Sequence, residues 1–328
     1  MYNRLIIFLE TNDLLSGAQF GFRTGHSTIH ALMHFQNFIS EALNKKEHVI
    51  AIFCDLRKAF DTVNHNILIK KLKKIGILNK ELEWFRSYLT GRKQSVCING
   101  TCSNNVPIKM GVPQGSVLGP ILFLIYINDL PLFNSLKNLL FADDTTLLAS
   151  GKNINELFNH VNSEFYKVVT YFRSNGLSLH PEKTKFILFT NNNAVRLTDK
   201  QILVNYNNPG EHDPSLIIPI SRVMGTDEDP AIKFLGLFID PKLTYKYHAS
   251  KICKKISSSL YFMRNAKNIL DTKSMLALYY SLVQCHLIYG IQIWSLSNQG
   301  VINNLFKLQK KQLDLYMVHP ITATLRAF

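Results

Sequence analysis

The chain has 328 residues, 46% of them hydrophobic, which is enough to build a sizeable core in one large domain or two moderate ones. Its formal net charge of +14 indicates a polyanionic partner, because positive charges in such excess repel one another unless an acidic surface compensates them. Nucleic acid is the leading candidate for this partner, and a membrane surface is the second. The five cysteines are odd in number and lack a Cys-x-x-Cys spacing, so we expect neither a disulfide framework nor a zinc ribbon, and we expect a reducing compartment.

The first fifteen residues show an apolar pattern without a helix start signal, as though a helix had been entered partway. The longest apolar run, residues 117–127, is too short to span a bilayer, and no signal segment opens the chain. We therefore expect a soluble, intracellular protein that is truncated at its N-terminus.

A turn-rich link over residues 19–27 precedes an amphipathic helix, and Ser27 is the predicted N-cap of that helix. Arg23 lies in this link and is a candidate ligand for phosphate. The alternative, left open by the pattern, is a loop arginine whose guanidinium is satisfied by carbonyl groups or water.

An apolar run over residues 49–54 predicts a buried strand that ends at Asp55, and an acid at the end of a buried strand is a common site position. A helix with a basic outer face follows, and we expect that face to be exposed to solvent. We interpret Asp61 as an acid near the N-terminus of that helix.

Residues 94–109 predict a hairpin around the turn dipeptide Asn99-Gly100. Cys97 and Cys102 flank this turn, but no paired ligands accompany them, so we do not expect a metal site there.

Residues 111–120 contain three glycines and two prolines ahead of an apolar helix, and such a backbone lets a ligand approach closely. Within this loop, Gln114 offers donors and acceptors that could contact a base or a sugar.

Asp143 and Asp144 stand between two short apolar runs that read as strand, turn and strand, so we expect them at the tip of a hairpin. Two adjacent anions repel each other and lose hydration there, which requires a cation, a hydrogen-bond network or open solvent as compensation. A turn that simply faces water is the alternative.

From residue 241 onward the pattern becomes helical. Ile252, Ile256, Leu260 and Met263 share one face of the first helix, and lysines surround them. A second apolar helix is predicted over residues 275–289. The basic face suits a phosphate backbone, and a solvated helix bundle is the alternative.

Five stretches of this chain, taken together, carry a resemblance to a known family. They are residues 53–61 (FCDLRKAFD), 111–116 (GVPQGS), 141–144 (FADD), 176–185 (GLSLHPEKTK) and 233–237 (KFLGL). In this order they resemble motifs of the reverse transcriptases of non-LTR retrotransposons, of the jockey and chicken-repeat type. The resemblance extends over nearly the whole chain.

The resemblance implies an α+β fold of the right-hand polymerase type. Residues 1–240 would form a palm and partial fingers, and residues 241–328 an α-helical thumb with a C-terminal extension. Full-length family members carry an endonuclease domain and a fingertip hairpin upstream of the point where this chain begins. We therefore expect an open nucleotide site and weak polymerase activity.

The implied activity is that of an RNA-directed DNA polymerase, which adds deoxynucleoside triphosphates to a DNA primer on an RNA template. Asp55, Asp143 and Asp144 would be the catalytic residues and would bind two Mg²⁺ ions, for which Mn²⁺ could substitute. Carboxylate oxygens are the ligands that Mg²⁺ prefers, and two ions can activate the attacking hydroxyl and neutralise the leaving group.

The resemblance also implies contacts around these aspartates. The nucleotide-binding residues would be Leu56, Arg57, Lys58, Ala59, Phe60 and Gln114; the residues that bind template or phosphate would be Arg23, Gly111, Lys183 and Lys185; the primer grip would be Leu235 and Gly236. The ring of Phe60 would lie under the incoming sugar and exclude a 2′-hydroxyl group. Ordinary core packing is the alternative for that ring.

Two other functions remain open from the sequence. One is a catalytically weak remnant that binds nucleic acid, and the other is an RNA-templated RNA polymerase, against which Phe60 argues. We expect the protein in the nucleus or the cytoplasm, without a membrane partner, and we infer no protein partner.

Overall fold

The structure, a computed structural model, describes residues 1–192, 200–208, 210–211, 213–295 and 299–316. The chain divides into two compact units, Met1–Arg222 and Val223–Phe328. The division falls after Arg222 rather than after residue 240, so residues 223–240 group with the helices that follow them. No helix in the described ranges combines the length and the apolar character that crossing a membrane requires.

The first unit combines helices with one main sheet and short hairpins. In chain order its elements are α1 (Tyr2–Thr11), α2 (Thr28–Asn44), β1 (His48–Cys54), α3 (His65–Lys74), α4 (Asn79–Leu89), β2 (Lys93–Gln94), β3 (Cys97–Ile98), β4 (Thr101–Cys102), β5 (Val106–Pro107), α5 (Leu118–Ile127), β6 (Lys137–Phe141), β7 (Asp144–Gly151), α6 (Ile154–Ser174), β8 (Lys185–Phe189), β9 (Leu203–Asn205), β10 (Ile217–Pro219) and β11 (Ser221–Arg222), with 3₁₀ turns at Leu130–Leu132 and Pro214–Leu216.

The main sheet has the strand order β11-β8-β1-β7-β6. Strand β1 pairs antiparallel with both β7 and β8, and β6 pairs antiparallel with β7. Only β11 runs parallel to its neighbour β8 among the described strands of this sheet. The central position of β1 explains its sequence, because a strand with neighbours on both sides and layers on both faces reads as a continuous apolar run.

Helices α2 and α6 cover opposite faces of this sheet. The ring of Phe53 in β1 lies 5.8 Å from that of Phe35 in α2, and the ring of Phe186 in β8 lies 6.1 Å from that of Phe158 in α6. Phe186 pairs with Ile52, the neighbour of Phe53, and successive strand residues point to opposite faces. The hydrophobic core therefore extends on both sides of β1.

The start of one helix matches the sequence prediction, and the start of another differs from it. The Ser27 hydroxyl accepts a hydrogen bond from the His30 amide, which confirms the predicted cap of α2. Helix α3, however, is capped by Asn64, whose side chain accepts from two backbone amides. The interpretation of Asp61 as a helix N-terminal acid was wrong, because α3 begins only at His65 and the Asp61 carboxylate instead accepts from Gln114.

The predicted hairpin around Asn99-Gly100 is present, with β3 and β4 flanking the turn. The expectation that no disulfide forms was wrong for one pair, because Cys97 and Cys102 are directly opposite partners in this hairpin and are joined by a disulfide bond. Cross-strand neighbours lie close enough for such a bond, a proximity that the cysteine count alone did not reveal.

The second unit is mainly helical. Its elements are β12 (Ile232–Phe234), β13 (Leu237–Ile239), α7 (Lys246–Ala266), α8 (Thr272–Tyr279), a π-helical turn (Tyr280–Gln284), α9 (Cys285–Ile288), α10 (Ile291–Trp294) and α11 (Gln299–Tyr316). The predicted apolar face of α7 is confirmed, since Ile252, Ile256, Leu260 and Met263 are all buried. The predicted helix over residues 275–289 is divided between α8, the π-helical turn and α9.

Candidate active site

Asp143 and Asp144 lie at the tip of the β6–β7 hairpin, as the apolar pattern predicted. Phe141 at the end of β6 pairs with Asp144 at the start of β7, which leaves Ala142 and Asp143 as the two-residue turn. Ala142 has a φ of +56°, in the left-handed region that a residue with a side chain adopts at a cost. The conformation of this turn therefore depends on contacts outside the turn itself.

The register of the sheet brings Asp55 to this hairpin. Cys54 at the end of β1 pairs with Thr145 in β7, so the next position along each strand sets Asp55 opposite Asp144. The Asp55 backbone is held from its other side, because its amide donates to Thr184 Oγ1 at 3.2 Å and its carbonyl accepts from the His180 amide at 2.7 Å. Asp55 and Asp143, which are 88 positions apart in the chain, thus lie with Asp144 at the same end of the strand pair.

Burial and mutual repulsion act on these carboxylates. Burial is the main cause that raises the pKa of Asp143 above its usual value, and the charge of Asp55 raises it further. The pKa of Asp144 is raised chiefly by burial, then by the charges of Asp143 and Asp55. Asp143 and Asp144 are therefore costlier in their ionised form than free aspartates, and a bound cation would lower that cost.

The donor set at this end of the strands fits a hard divalent cation, because it consists of carboxylate oxygens. The side chains are not arranged as a finished coordination shell: across the described ranges, no three His, Cys, Asp or Glu side chains are positioned to bind one ion together. The sheet register therefore places the three aspartates at the same end of the strands, but their carboxylates are not arranged to coordinate one ion.

The segment after Asp55 is fixed by its backbone. Leu56 forms a β-bridge with Leu179, and the Arg57 amide donates to the Ser178 carbonyl at 2.8 Å. Lys58 has a φ of +46°, and Ala59 behind it is buried. The side chains of Arg57 and Lys58 are exposed. Arg57 lines a cavity of about 280 Å³ whose other walls include Arg173 and Tyr206.

Phe60 is half-buried, and its ring stacks on that of Phe123 with the centroids 4.5 Å apart. One face of the ring therefore belongs to the core, as the packing alternative proposed, while part of the side chain stays accessible. The Phe60 carbonyl accepts from the Val112 amide at 2.9 Å.

The glycine-rich loop is tied to the same segment. The Gly111 amide donates to the Val63 carbonyl at 2.7 Å, and a Cβ atom at Gly111 would lie 2.7 Å from the Asp61 carbonyl oxygen. Gln114 is exposed, and its Nε2 donates to Asp61 Oδ1 at 2.7 Å. The close approach of two backbones thus explains the glycine at 111, and Gln114 stands beside the segment that follows Asp55.

Arg23 is engaged inside the first unit. Its guanidinium forms an ion pair with Glu10, 2.7 Å from Nη2 to Oε2, and donates to the carbonyl groups of Ser16 and Gln19. Its side chain is only 8% exposed. The structure therefore favours the internal role that the sequence left open, over the role of phosphate ligand.

The remaining predicted residues lie in two places. Lys183 is exposed in the turn before β8, and Lys185 is the half-buried first residue of that strand. Leu235 and Gly236 form the turn between β12 and β13 in the second unit, both with positive φ. Within that unit, the Tyr289 hydroxyl donates to the Leu235 carbonyl, and its ring leaves no space for a side chain at 236.

Sequence reasoning missed three residues that support the aspartates. Thr184 and His180 hold the backbone of Asp55, and Gln19 accepts a hydrogen bond from the Ala142 amide at 3.0 Å. No local pattern marks such residues, because their partners are distant in the chain. A buried polar residue in a loop, as Gln19 is, becomes a signal only when burial is known.

Comparisons with known proteins agree with these features. Residues 1–239 match the family described as reverse transcriptase (RNA-dependent DNA polymerase). The chain is 30% identical over 328 residues to the probable RNA-directed DNA polymerase from transposon BS of Drosophila melanogaster, covering 95% of this chain and 33% of that protein. It is 30% identical over 323 residues to the RNA-directed DNA polymerase from mobile element jockey of Drosophila funebris, again covering 95% and 33%.

Among solved structures, telomerase from Candida albicans in complex with a fragment of telomeric RNA matches with a TM-score of 0.49 and 12% identity, over 95% of this chain and 56% of that chain. The chain spans about a third of the length of the curated relatives it matches.

Proposed function

The chain belongs to the reverse transcriptase (RNA-dependent DNA polymerase) family, and on that premise we propose that it adds deoxynucleotides to a DNA primer on an RNA template. One observation carries this proposal: Asp55 at the end of a buried strand lies opposite the Asp143-Asp144 hairpin in the sheet register. That convergence supplies concentrated negative charge where nucleotidyl transfer needs it.

Reverse transcriptases depend on divalent metal ions, and for this chain we propose Mg²⁺, with Mn²⁺ as a substitute. Asp55, Asp143 and Asp144 would hold it. When bound, the metal supplies activation of the primer 3′-hydroxyl group and neutralises charge on the departing pyrophosphate. The raised pKa values of Asp143 and Asp144 support this assignment, because a cation relieves the repulsion that raises them.

The segment after Asp55 would bind the incoming nucleotide. The exposed side chains of Arg57 and Lys58 would bring positive charge to the triphosphate, and the small side chain of Ala59 is buried behind them. Phe60 would limit the space for the sugar with the accessible part of its ring, because stacking on Phe123 holds the ring in place. Gln114, beside Asp61, would contact the nucleotide from the glycine-rich loop.

The nucleic acid would be bound through its phosphates. The net charge of +14 supports such a partner, and in the second unit Lys251, Lys254 and Lys255 are exposed along α7. We propose Lys183 and Lys185 as further phosphate contacts, and the Leu235-Gly236 turn as the primer contact. RNA templates and deoxynucleotides occur in the nucleus and the cytoplasm, where we propose that the protein acts.

A primer-extension assay on the purified chain tests this function. The substrate is an RNA template annealed to a DNA primer, with deoxynucleotides and Mg²⁺. Asp55→Asn should abolish extension, since it removes one of the converging carboxylates. The matched control is Asp13→Asn: Asp13 is exposed and has a φ of +49°, which asparagine adopts equally well.

Extension by the unmodified chain and by Asp13→Asn, with none by Asp55→Asn, would support the proposal. Equal extension by Asp55→Asn would overturn it. A chain that binds the primer–template but extends it in no variant would be the nucleic-acid-binding remnant instead.

The choice of sugar is tested at Phe60. Phe60→Ala should raise the ratio of ribonucleotide to deoxyribonucleotide incorporation, because the proposed discrimination is a steric clash with one hydroxyl group. An unchanged ratio would return Phe60 to core packing alone. If the unmodified chain preferred ribonucleotides, an RNA-templated RNA polymerase would replace the present proposal.

A further inference from the structure

The segment over residues 18–21 runs beside the strand that leads to the aspartate hairpin. The Leu140 amide donates to the Ala18 carbonyl, and the Phe20 amide donates to the Leu140 carbonyl, both at 2.8 Å. These two bonds form a short parallel bridge between Gln19 and Leu140. The segment therefore adds a further backbone contact to β6, two residues before the turn at Ala142.

The side chain of Gln19 continues this contact into the turn. It is 1% exposed, and its Oε1 accepts from the Gly21 amide at 2.8 Å and from the Ala142 amide at 3.0 Å. Ala142 is the left-handed residue directly before Asp143. One neutral oxygen thus satisfies the amide of this left-handed, buried residue, which without this partner would be unpaired.

The other end of the Gln19 side chain shows what this contact costs. Its Nε2 group is buried and has no hydrogen-bond partner among the residues that the structure describes. An unpaired buried donor destabilises a fold, so the benefit of a glutamine at this position comes from its oxygen. Glutamate would supply an oxygen too, but as a fourth anion close to three carboxylates.

Gly21 provides the space for the same contact. A Cβ atom at this position would lie 2.4 Å from the Ala142 nitrogen and 3.0 Å from the Phe141 carbonyl carbon, distances at which the backbone must shift. Gly17, four residues earlier, has nothing within 4 Å of the corresponding position. The lack of a side chain is therefore required at 21 and not at 17.

We propose that Gln19 and Gly21 are positioning residues that set the conformation of the Ala142-Asp143 turn, and through it the placement of the two aspartates. Gln19 holds the Ala142 amide, and Gly21 allows the two backbones to meet. The catalytic consequence rests on the proposed function, whereas the effect on the turn follows from contacts within the first unit alone.

Amide hydrogen exchange in the metal-free protein tests the positioning without any reaction. Gln19→Met keeps the length of the side chain but removes the acceptor, and Gly21→Ala keeps the acceptor but introduces the clash. Both should raise the exchange rate of the Ala142 amide by about tenfold or more, the loss expected for one buried hydrogen bond. Gly17→Ala, which introduces no clash, should keep the protection of the original chain.

The catalytic effect of the same variants is measured in the primer-extension assay. Gln19→Met and Gly21→Ala should lower kcat by about tenfold or more while KM for primer–template stays unchanged, since phosphate contacts dominate that affinity. Ile39→Ala, in the buried face of α2, serves as a control that lowers stability without touching the turn, and it should leave kcat per folded molecule unchanged.

The proposal would be overturned if the Ala142 amide of Gln19→Met exchanged at the original rate, or if Gly17→Ala accelerated it as much as Gly21→Ala. A chain without polymerase activity would refute the proposed function only, because the exchange measurement needs no substrate. Should Gln19→Met fail to fold, Gly21→Ala against Gly17→Ala decides the matter by itself.

Discussion

Two hairpins of the first unit reach similar two-residue turns by different means. The β3–β4 hairpin turns at Asn99-Gly100, both with positive φ, and its strands are exposed and joined by the Cys97–Cys102 disulfide. The β6–β7 hairpin turns at Ala142 and Asp143, its strands are largely buried, and Gln19 holds its turn.

The two turns differ in what determines their backbone conformation: the local sequence in one, and tertiary contacts in the other. Asn-Gly prefers the left-handed conformation, so the turn of the exposed hairpin follows from its own sequence. The Cys97–Cys102 disulfide joins the two strands of this hairpin. Ala142 has no such preference, and the hairpin with the aspartates depends on the sheet and on residues 18–21. The stronger turn signal thus lies away from the charged site, while the site occupies the turn that the fold has to impose.

The largest expected effect contrasts the two turns by charge. Asp143→Asn should lower primer extension by about 10³-fold, the equivalent of the several kcal/mol that metal binding supplies to such a reaction. It should leave the thermal unfolding midpoint unchanged or raise it, because burial and Asp55 already disfavour the ionised carboxylate. Asn99→Asp, the reverse change in the exposed turn, should alter neither quantity. If Asp143→Asn also lowered the thermal unfolding midpoint, the loss of extension could come from unfolding, and the separation of charge from stability at this turn would be contradicted.

The second contrast concerns packing. Leu140→Ala in β6 removes a fully buried side chain and should reduce the free energy of unfolding by about 2–5 kcal/mol. Ile98→Ala in β3 removes a side chain that is 68% exposed and should change it by less than about 0.5 kcal/mol. Urea denaturation measures both, and similar losses would show that the exposed hairpin is packed in solution.

The third contrast concerns the disulfide. Replacing Cys97 and Cys102 together with serine should change the free energy of unfolding by less than about 1 kcal/mol, because an exposed hairpin opens locally without the core. Proteolysis within this hairpin should become faster, and primer extension should stay the same. Loss of extension in the double variant would mean that the exposed hairpin contributes to the site.

The smallest effect concerns the ion pair that anchors the link before α2. The hydrogen bond from Arg23 is the main cause that lowers the pKa of Glu10, so this pair stabilises the fold above the unfolded pKa of glutamate, and the stabilisation is lost as pH falls through the lowered folded value. Between pH 7 and pH 3, the original chain should therefore lose more stability than Glu10→Gln, by about 1 kcal/mol or less.

Its control is the pair of Glu83 and Arg86 on α4, which is 3.5 Å long and largely exposed. Glu83→Gln should show the same pH dependence as the original chain. If Glu10→Gln did so too, the ion pair would contribute nothing to the stability of the link.

Much of the fold followed from pattern. The apolar run before Asp55 predicted a buried strand, because β1 is covered on both faces, and the alternation of apolar runs and aspartates predicted the hairpin. Membership in the reverse transcriptase family confirms the α+β polymerase fold that the five stretches implied. The metal, the nucleotide contacts and the primer contact remain predictions.

Other features were not accessible from pattern. The disulfide required knowing that Cys97 and Cys102 are opposite in register, and the ion pair of Arg23 required knowing that Glu10 is adjacent. Asp61 sits near a helix in sequence, yet a tertiary contact with Gln114 determines what it binds. Each case depends on which of several equivalent partners the folded chain brings close.

By itself, the sequence determined the buried strand before Asp55, the hairpin that carries Asp143 and Asp144, and the chemical identity of these acids, because they depend on periodicity and side-chain type. Only the tertiary structure decided that Asp55 stands opposite Asp144, that Thr184 and His180 hold it, and that Gln19 supports Ala142. The physical reason is that a hydrogen bond between residues 123 positions apart leaves no local trace, since either partner alone is compatible with many environments.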